Sequence, residues 1–160
     1  MIELILTTGV YGKSAEHFFR QLTEAKVDLF CDIRLRRGLR GSQYAFANST
    51  RLQHELASFG IAYRHFPELA PSIDTRAAQH AADSAGGVQK RSRETLSEEF
   101  KHRYITEVLG PFDSNAFRTT LGPDARRVVL FCVEGNPKAC HRSLLADRLT
   151  MDWQIPIQDL

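Results

Sequence analysis

Apolar residues along the chain fall into short uninterrupted runs separated by helically spaced stripes, a pattern that predicts strands alternating with helices. Glu3 to Val10 is the first run, rich in Leu, Ile and Thr, and it ends in the turn-like stretch Gly9 to Gly12. Ser14 is placed to cap a helix over Ala15 to Lys26, in which Phe18, Phe19 and Leu22 form the apolar stripe. Val27 to Ile33 then restores a buried run. A crossover of this length makes a β-α-β unit with two parallel strands, whose loops gather at one sheet edge.

The next segment is poor core material: an arginine-rich loop from Arg34 to Gly41, then the polar-aromatic stretch Ser42 to Asn48. Asn48 or Ser49 can cap a helix to Ser58 that buries Leu52, Leu56 and Phe59, with Gly60 as its stop, before a third strand from Ile61 to Phe66. Alanine favours helix from about Arg76 to Ala82, but Gly86 and Gly87 break the pattern. Residues 71–95 therefore read as a mobile or irregular insertion. Ser97 to Leu109 carries Phe100, Tyr104, Ile105 and Val108 at helical spacing, and Gly110 and Pro111 end it. A short helix, Ser114 to Leu121, leads to a strand at Arg127 to Val133. Pro137 to Met151 reads as a helix turning Leu144, Leu145 and Leu149 to the sheet, and Ile155 to Asp159 as the last strand. The expected architecture is a single three-layer α/β domain over 1–160, with a mostly parallel central sheet of about five strands and helices on both faces.

Composition narrows the class without changing that picture. A chain of 160 residues is the size of one ordinary domain, and 42% hydrophobic with 25% charged residues favours neither disorder nor a membrane protein. With no apolar run near the roughly 18 residues of a membrane span and no signal-peptide pattern, a cytoplasmic location is expected. Cys31, Cys132 and Cys140 cannot all pair within one chain, so reduced thiols are expected. A net charge of +2 does not imply nucleic-acid binding; the clustering of the basic residues matters more.

The segment from Cys132 to Arg142 concentrates the chemistry. It runs from a strand through Gly135-Asn136-Pro137 into a helix start, where free backbone N–H groups and the helix dipole favour anions. Lys138 and Arg142 add charge there, and Arg142 can grip a phosphate or carboxylate with a two-point fork. Cys140 would lie in the first helical turn, where the dipole and neighbouring charge depress a thiol pKa, so it reads either as a nucleophile or as a small packing residue. His141 is an acid or base or a helix-start hydrogen-bond donor, and Glu134 a proton-transfer group or a helix cap. Cys132, inside an apolar strand, reads as core. The spacing of Cys132, Cys140 and Arg142 does not fit a tyrosine-phosphatase loop, and no Cys-x-x-Cys pair is present. Cys132 and the adjacent pair Cys140-His141 do not make a recognisable zinc motif, so no metal and no cofactor is expected.

Arg34, Arg36, Arg37 and Arg40 should emerge at the same sheet edge, with Tyr44 and Phe46 following, a mixture able to hold phosphates and stack bases. Asp32 either orients an arginine or acts as a catalytic carboxylate. His65 and Glu68, around Pro67, are placed to complete the cleft. This order of motifs resembles the bacterial and archaeal family catalogued as domain of unknown function four hundred and eighty-eight. The resemblance rests on Thr7-Thr8-Gly9, Asp32-Ile33-Arg34, Phe46-Ala47-Asn48, His65-Phe66-Pro67-Glu68-Leu69, and Cys132-Val133-Glu134 leading to Cys140-His141-Arg142. Family members often carry a His-Ser pair where this chain has Val10-Tyr11. The resemblance implies an α/β fold and a pocket shared by these motifs, with no reaction attached.

These features together point to a hydrolase-like enzyme acting on a nucleotide or nucleic-acid substrate, with Arg34 and Arg142 binding phosphate and Glu134 or His141 moving protons. The partner is then a phosphate-bearing small molecule or nucleic acid, and no membrane is involved. A non-catalytic module binding nucleic acid or a phosphorylated ligand is the alternative, and a thiol-based sensor or catalyst using Cys140 a third.

Overall fold

The computed structural model describes residues 1–160. Its strands are β1 (Leu4–Thr8), β2 (Leu29–Asp32), β3 (Ala62–His65), β4 (Arg127–Phe131) and β5 (Ile157–Asp159). They form one all-parallel sheet in the order β3-β2-β4-β1-β5. The helices are α1 (Ala15–Glu24), α2 (Ser49–Ser58), α3 (Ile73–Ala85), α4 (Glu98–Tyr104), α5 (Ser114–Leu121) and α6 (His141–Trp153). The starts of α1, α3, α4 and α5 are set by short polar side chains that satisfy otherwise orphaned amides. Ser14, Ser72 and Ser97 accept from His17, Thr75 and Phe100, and Asp113 accepts from Asn115 and Ala116.

Strand alternation separates two groups of side chains. Phe30, Asp32, Val129 and Phe131 share the face covered by α1, whose Phe18 ring meets Phe30 and Phe131. Thr7, Cys31 and Leu130 point to the opposite face, where α6 lies along β1 and β4. The result is an α/β fold of three layers, with one continuous core of 37 buried residues running through both interfaces. The two edge strands are only four and three residues long, which limits the backbone open to pairing. No helix is long and apolar enough to cross a membrane.

Four local expectations are corrected. The stretch expected to be irregular holds α3, thirteen residues long and packed on α4, with Gly86 and Gly87 marking its end. Phe59 is half exposed because it follows the last turn of α2, with its ring tilted against Phe19. Beyond Tyr104 the helix widens into a π turn, Ile105–Leu109, which shifts the stripe and leaves Ile105 exposed. Finally, Pro137–Ala139 is a separate 3-10 turn, and α6 begins only at His141, with Cys140 extended at its cap.

Candidate active site

Because β2 pairs with β4, with Asp32 beside Phe131, the loops that follow them leave the sheet side by side. The loop after β1 joins them: Val10 and Tyr11 donate from their amides to the Val133 carbonyl at 3.1 and 3.2 Å. This approach leaves no space for a side chain at Gly9, where a Cβ would collide with the Glu134 carbonyl. The Gly135-Asn136-Pro137 turn closes on itself. Lys138 donates to the Asn136 side chain, Ala139 to the Asn136 carbonyl and Cys140 to the Pro137 carbonyl. Those amides, expected to be free for an anion, are thus satisfied within the turn, and Lys138 itself is exposed outside it.

Arg142 is the largest fully buried side chain and holds this loop from beneath. Its guanidinium donates to the Glu134 carbonyl at 2.6 Å, the Gly135 carbonyl at 3.1 Å and the Thr7 hydroxyl at 3.2 Å. Arg34 is similarly committed. It forms a two-point bridge to Asp32 at 2.9 and 2.7 Å, donates to the Ala47 carbonyl and lies over the Phe131 ring. Tyr63 completes the set by donating to Asp32 at 2.7 Å. The guanidinium donors of Arg34 and Arg142, expected to face phosphate, are thus spent on Asp32, on backbone carbonyls and on the Thr7 hydroxyl, and Asp32 is ion-paired to Arg34.

Above Arg142 the floor of the site is a cluster of four buried groups. Cys132 Sγ lies 3.4 Å from Glu134 Oε2 and 3.9 Å from His141 Nδ1, and Cys140 Sγ lies 3.8 Å from the same nitrogen. His141 Nε2 faces the Ile33 carbonyl at 3.3 Å, and the Tyr104 ring packs on the imidazole. Burial raises the Glu134 carboxyl, with Cys140 adding to it, to about 6. Burial also lifts Cys140, but hydrogen bonding from Cys132 and the charge of His141 outweigh it and hold that thiol well below its ordinary range. Cys132, donating to Cys140 and buried, is pushed well above it. His141 is lowered by burial yet raised more by Cys140 and Glu134, and lies above its ordinary value.

This floor opens into a cavity of about 630 Å³. Arg36, Arg76, His80 and Lys90 supply polar wall, and Leu35, Val88, Leu96 and Phe100 the apolar wall. Arg93 ties the wall to the floor. It bridges Asp83 through two nitrogens at 2.6 to 3.1 Å and reaches Glu134 Oε1 at 3.6 Å, while Lys90 lies 3.8 Å from the same oxygen. Burial raises the Asp83 carboxyl, but its bonds from Arg93 and Gln79 win and hold it below the usual carboxylate range. Gln79 also accepts from the Ser97 amide, fixing α3 to the start of α4.

The remaining candidates lie around this cavity rather than in it. Phe46 is core, tilted against Phe18 and edge-on to Phe19. Tyr44 pairs with Tyr11, Arg91 covers both rings, and Arg91 donates to the Arg40 carbonyl. Arg37 lines a separate shallow groove with Asn48 and Arg51. His65 Nε2 donates to the Arg34 carbonyl at 2.7 Å, and Glu68 is exposed on the turn Pro67–Leu69; neither lines the cavity. Sequence reasoning missed Arg76, His80, Asp83, Lys90 and Arg93 as site residues. Their signal was polar periodicity: Arg76, Gln79, His80 and Asp83 recur at helical spacing on one face.

The family model described as domain of unknown function DUF488 matches residues 14–149. The chain belongs to DUF488. The matched span holds the Asp32–Arg34 pair, α3 and the whole Cys132–Arg142 junction, while Thr7-Thr8-Gly9 precedes it. No curated protein and no solved structure matches the chain. For this DUF488 member, the geometry of the cavity thus carries the functional reading.

Proposed function

We propose that the protein is an enzyme acting on a phosphate-bearing substrate, a nucleotide or a nucleic-acid end, bound in this cavity. One observation carries the reading: a cavity of about 630 Å³ sets buried Glu134 and His141 on its floor beneath the cationic side chains Arg36, Arg76 and Lys90. The volume lies within the range of about 300–1,000 Å³ typical of small-molecule sites. Arg36 and Arg76 make no ion pair within the protein and are free to grip phosphate oxygens in a fork. The apolar wall of Leu35, Val88 and Phe100 suits a base or sugar. Glu134 then stands where it can take or give a proton at the reacting atom.

The test is turnover across nucleoside mono-, di- and triphosphates and short single- and double-stranded oligonucleotides. Glu134→Gln, which keeps the size and one hydrogen-bonding oxygen, is expected to lower turnover at least about 100-fold while the fold is retained. Full turnover by that variant, or turnover of none of these compounds by the unaltered protein, would overturn the reading.

A further inference from the structure

Three donor atoms converge on the cavity floor from two elements. His141 Nδ1 lies 3.9 Å from Cys132 Sγ and 3.8 Å from Cys140 Sγ, and all three atoms lie within 4.8 Å of one another. Around a tetrahedral zinc ion, bonds of about 2.3 Å to sulfur and about 2.05 Å to nitrogen set ligand separations of about 3.6 Å for S to N and about 3.8 Å for S to S. The cluster closes on such an ion with movements of at most about 1 Å. The imidazole is already turned for it, since Nε2 faces the Ile33 carbonyl at 3.3 Å and leaves Nδ1 toward the sulfurs. That outer hydrogen bond is the arrangement by which proteins orient a ligating histidine.

We propose that Cys132, Cys140 and His141 bind a zinc-class divalent cation whose fourth coordination position opens into the cavity. Two thiolates and one neutral imidazole offset the charge of a divalent ion, and sulfur with nitrogen selects zinc over magnesium or calcium. All three residues line the cavity, and three protein ligands with one open position mark a reactive rather than a purely structural zinc site. Glu134 lies beside the cluster, with Oε2 3.4 Å from Cys132 Sγ and Oε1 engaged by Arg93 and Lys90. The assignment goes beyond the acid–base role proposed for Glu134 and does not depend on it.

The experiment is titration of the reduced full-length protein with Zn²⁺ and, spectroscopically, with Co²⁺. One equivalent of zinc is expected to bind, and one equivalent of cobalt to give thiolate charge-transfer absorption with the intense visible bands of a tetrahedral ion. Cys132→Ser and Cys140→Ser should lose that spectrum, and Cys31→Ser, altered away from the cluster in β2, should keep it. X-ray absorption at the zinc edge of the unaltered protein covers the case in which a serine variant does not fold, with two sulfurs expected at about 2.3 Å. Absence of stoichiometric binding, a first shell without sulfur, or a spectrum that survives in folded Cys132→Ser or Cys140→Ser would overturn the assignment. A zinc-free protein that still loses turnover in Glu134→Gln removes the metal alone. A zinc-binding protein with no turnover removes the proposed reaction alone.

Discussion

Arg142→Ala is expected to lower the stability of the folded protein by about 3–5 kcal/mol, the cost of leaving its buried acceptors unpaired together with the void left by a large side chain. The alanine would leave the Glu134 and Gly135 carbonyls without their donor, and it would open a void under the loop because Arg142 is only 1% exposed. For a chain of this size the loss corresponds to a fall in Tm of about 6–20 °C. Arg142→Lys should recover little, since one ammonium on a flexible stem cannot serve two carbonyls and the Thr7 hydroxyl in the geometry of the planar guanidinium. Urea unfolding followed by circular dichroism measures both. A loss below about 1 kcal/mol for Arg142→Ala would show that the loop is held by other contacts.

Asp32→Ala is expected to have an effect of similar size on the other face of the sheet, again about 3–5 kcal/mol. It strips the two-point partner from Arg34, which is 4% exposed and held over the Phe131 ring, and it leaves the Tyr63 hydroxyl without its acceptor. The cost is that of an uncompensated buried cation, so removing the cation as well should restore stability. The double variant Asp32→Leu/Arg34→Met is therefore expected to be more stable than Asp32→Ala in the same unfolding assay. A double variant no more stable than the single would contradict the ion-pair account.

The frame of the molecule was legible because its signals are local. Apolar runs marked the strands, and Ser14 and Gly60 stand at element ends where a cap and a stop were expected. The strand order was not legible, since β4 inserts between β2 and β1 through contacts remote in sequence. Nor was α3: its face is built from Arg76, Gln79, His80 and Asp83 over an alanine background, so the apolar period that betrays other helices is missing. With α3 unread, the wall of the cavity and its Arg93–Asp83 bridge were unread too.

The junction was read as a site for reasons that the geometry redistributes. A strand end with Glu134, Cys140, His141 and Arg142 nearby signals a site, but residue type does not reveal whether an arginine faces ligand or backbone. Arg34 and Arg142 both turn inward, and the cations that line the cavity without an ion pair are Arg36 and Arg76. Cys132 illustrates the converse. Its apolar neighbours in β4 suggested core, and it is part of the buried core, but one residue past the strand its sulfur also reaches Glu134 and His141.

Amide chemical-shift mapping of the ¹⁵N-labelled protein during titration with nucleoside phosphates and a short single-stranded oligonucleotide tests the cavity as the ligand site most directly. The account predicts that the largest perturbations cluster at Arg36, Arg76, Val88 to Lys90 and Val133 to Glu134, the segments that line the cavity. Perturbations confined to the α1 and α2 face, or none with any phosphate-bearing ligand, would contradict it.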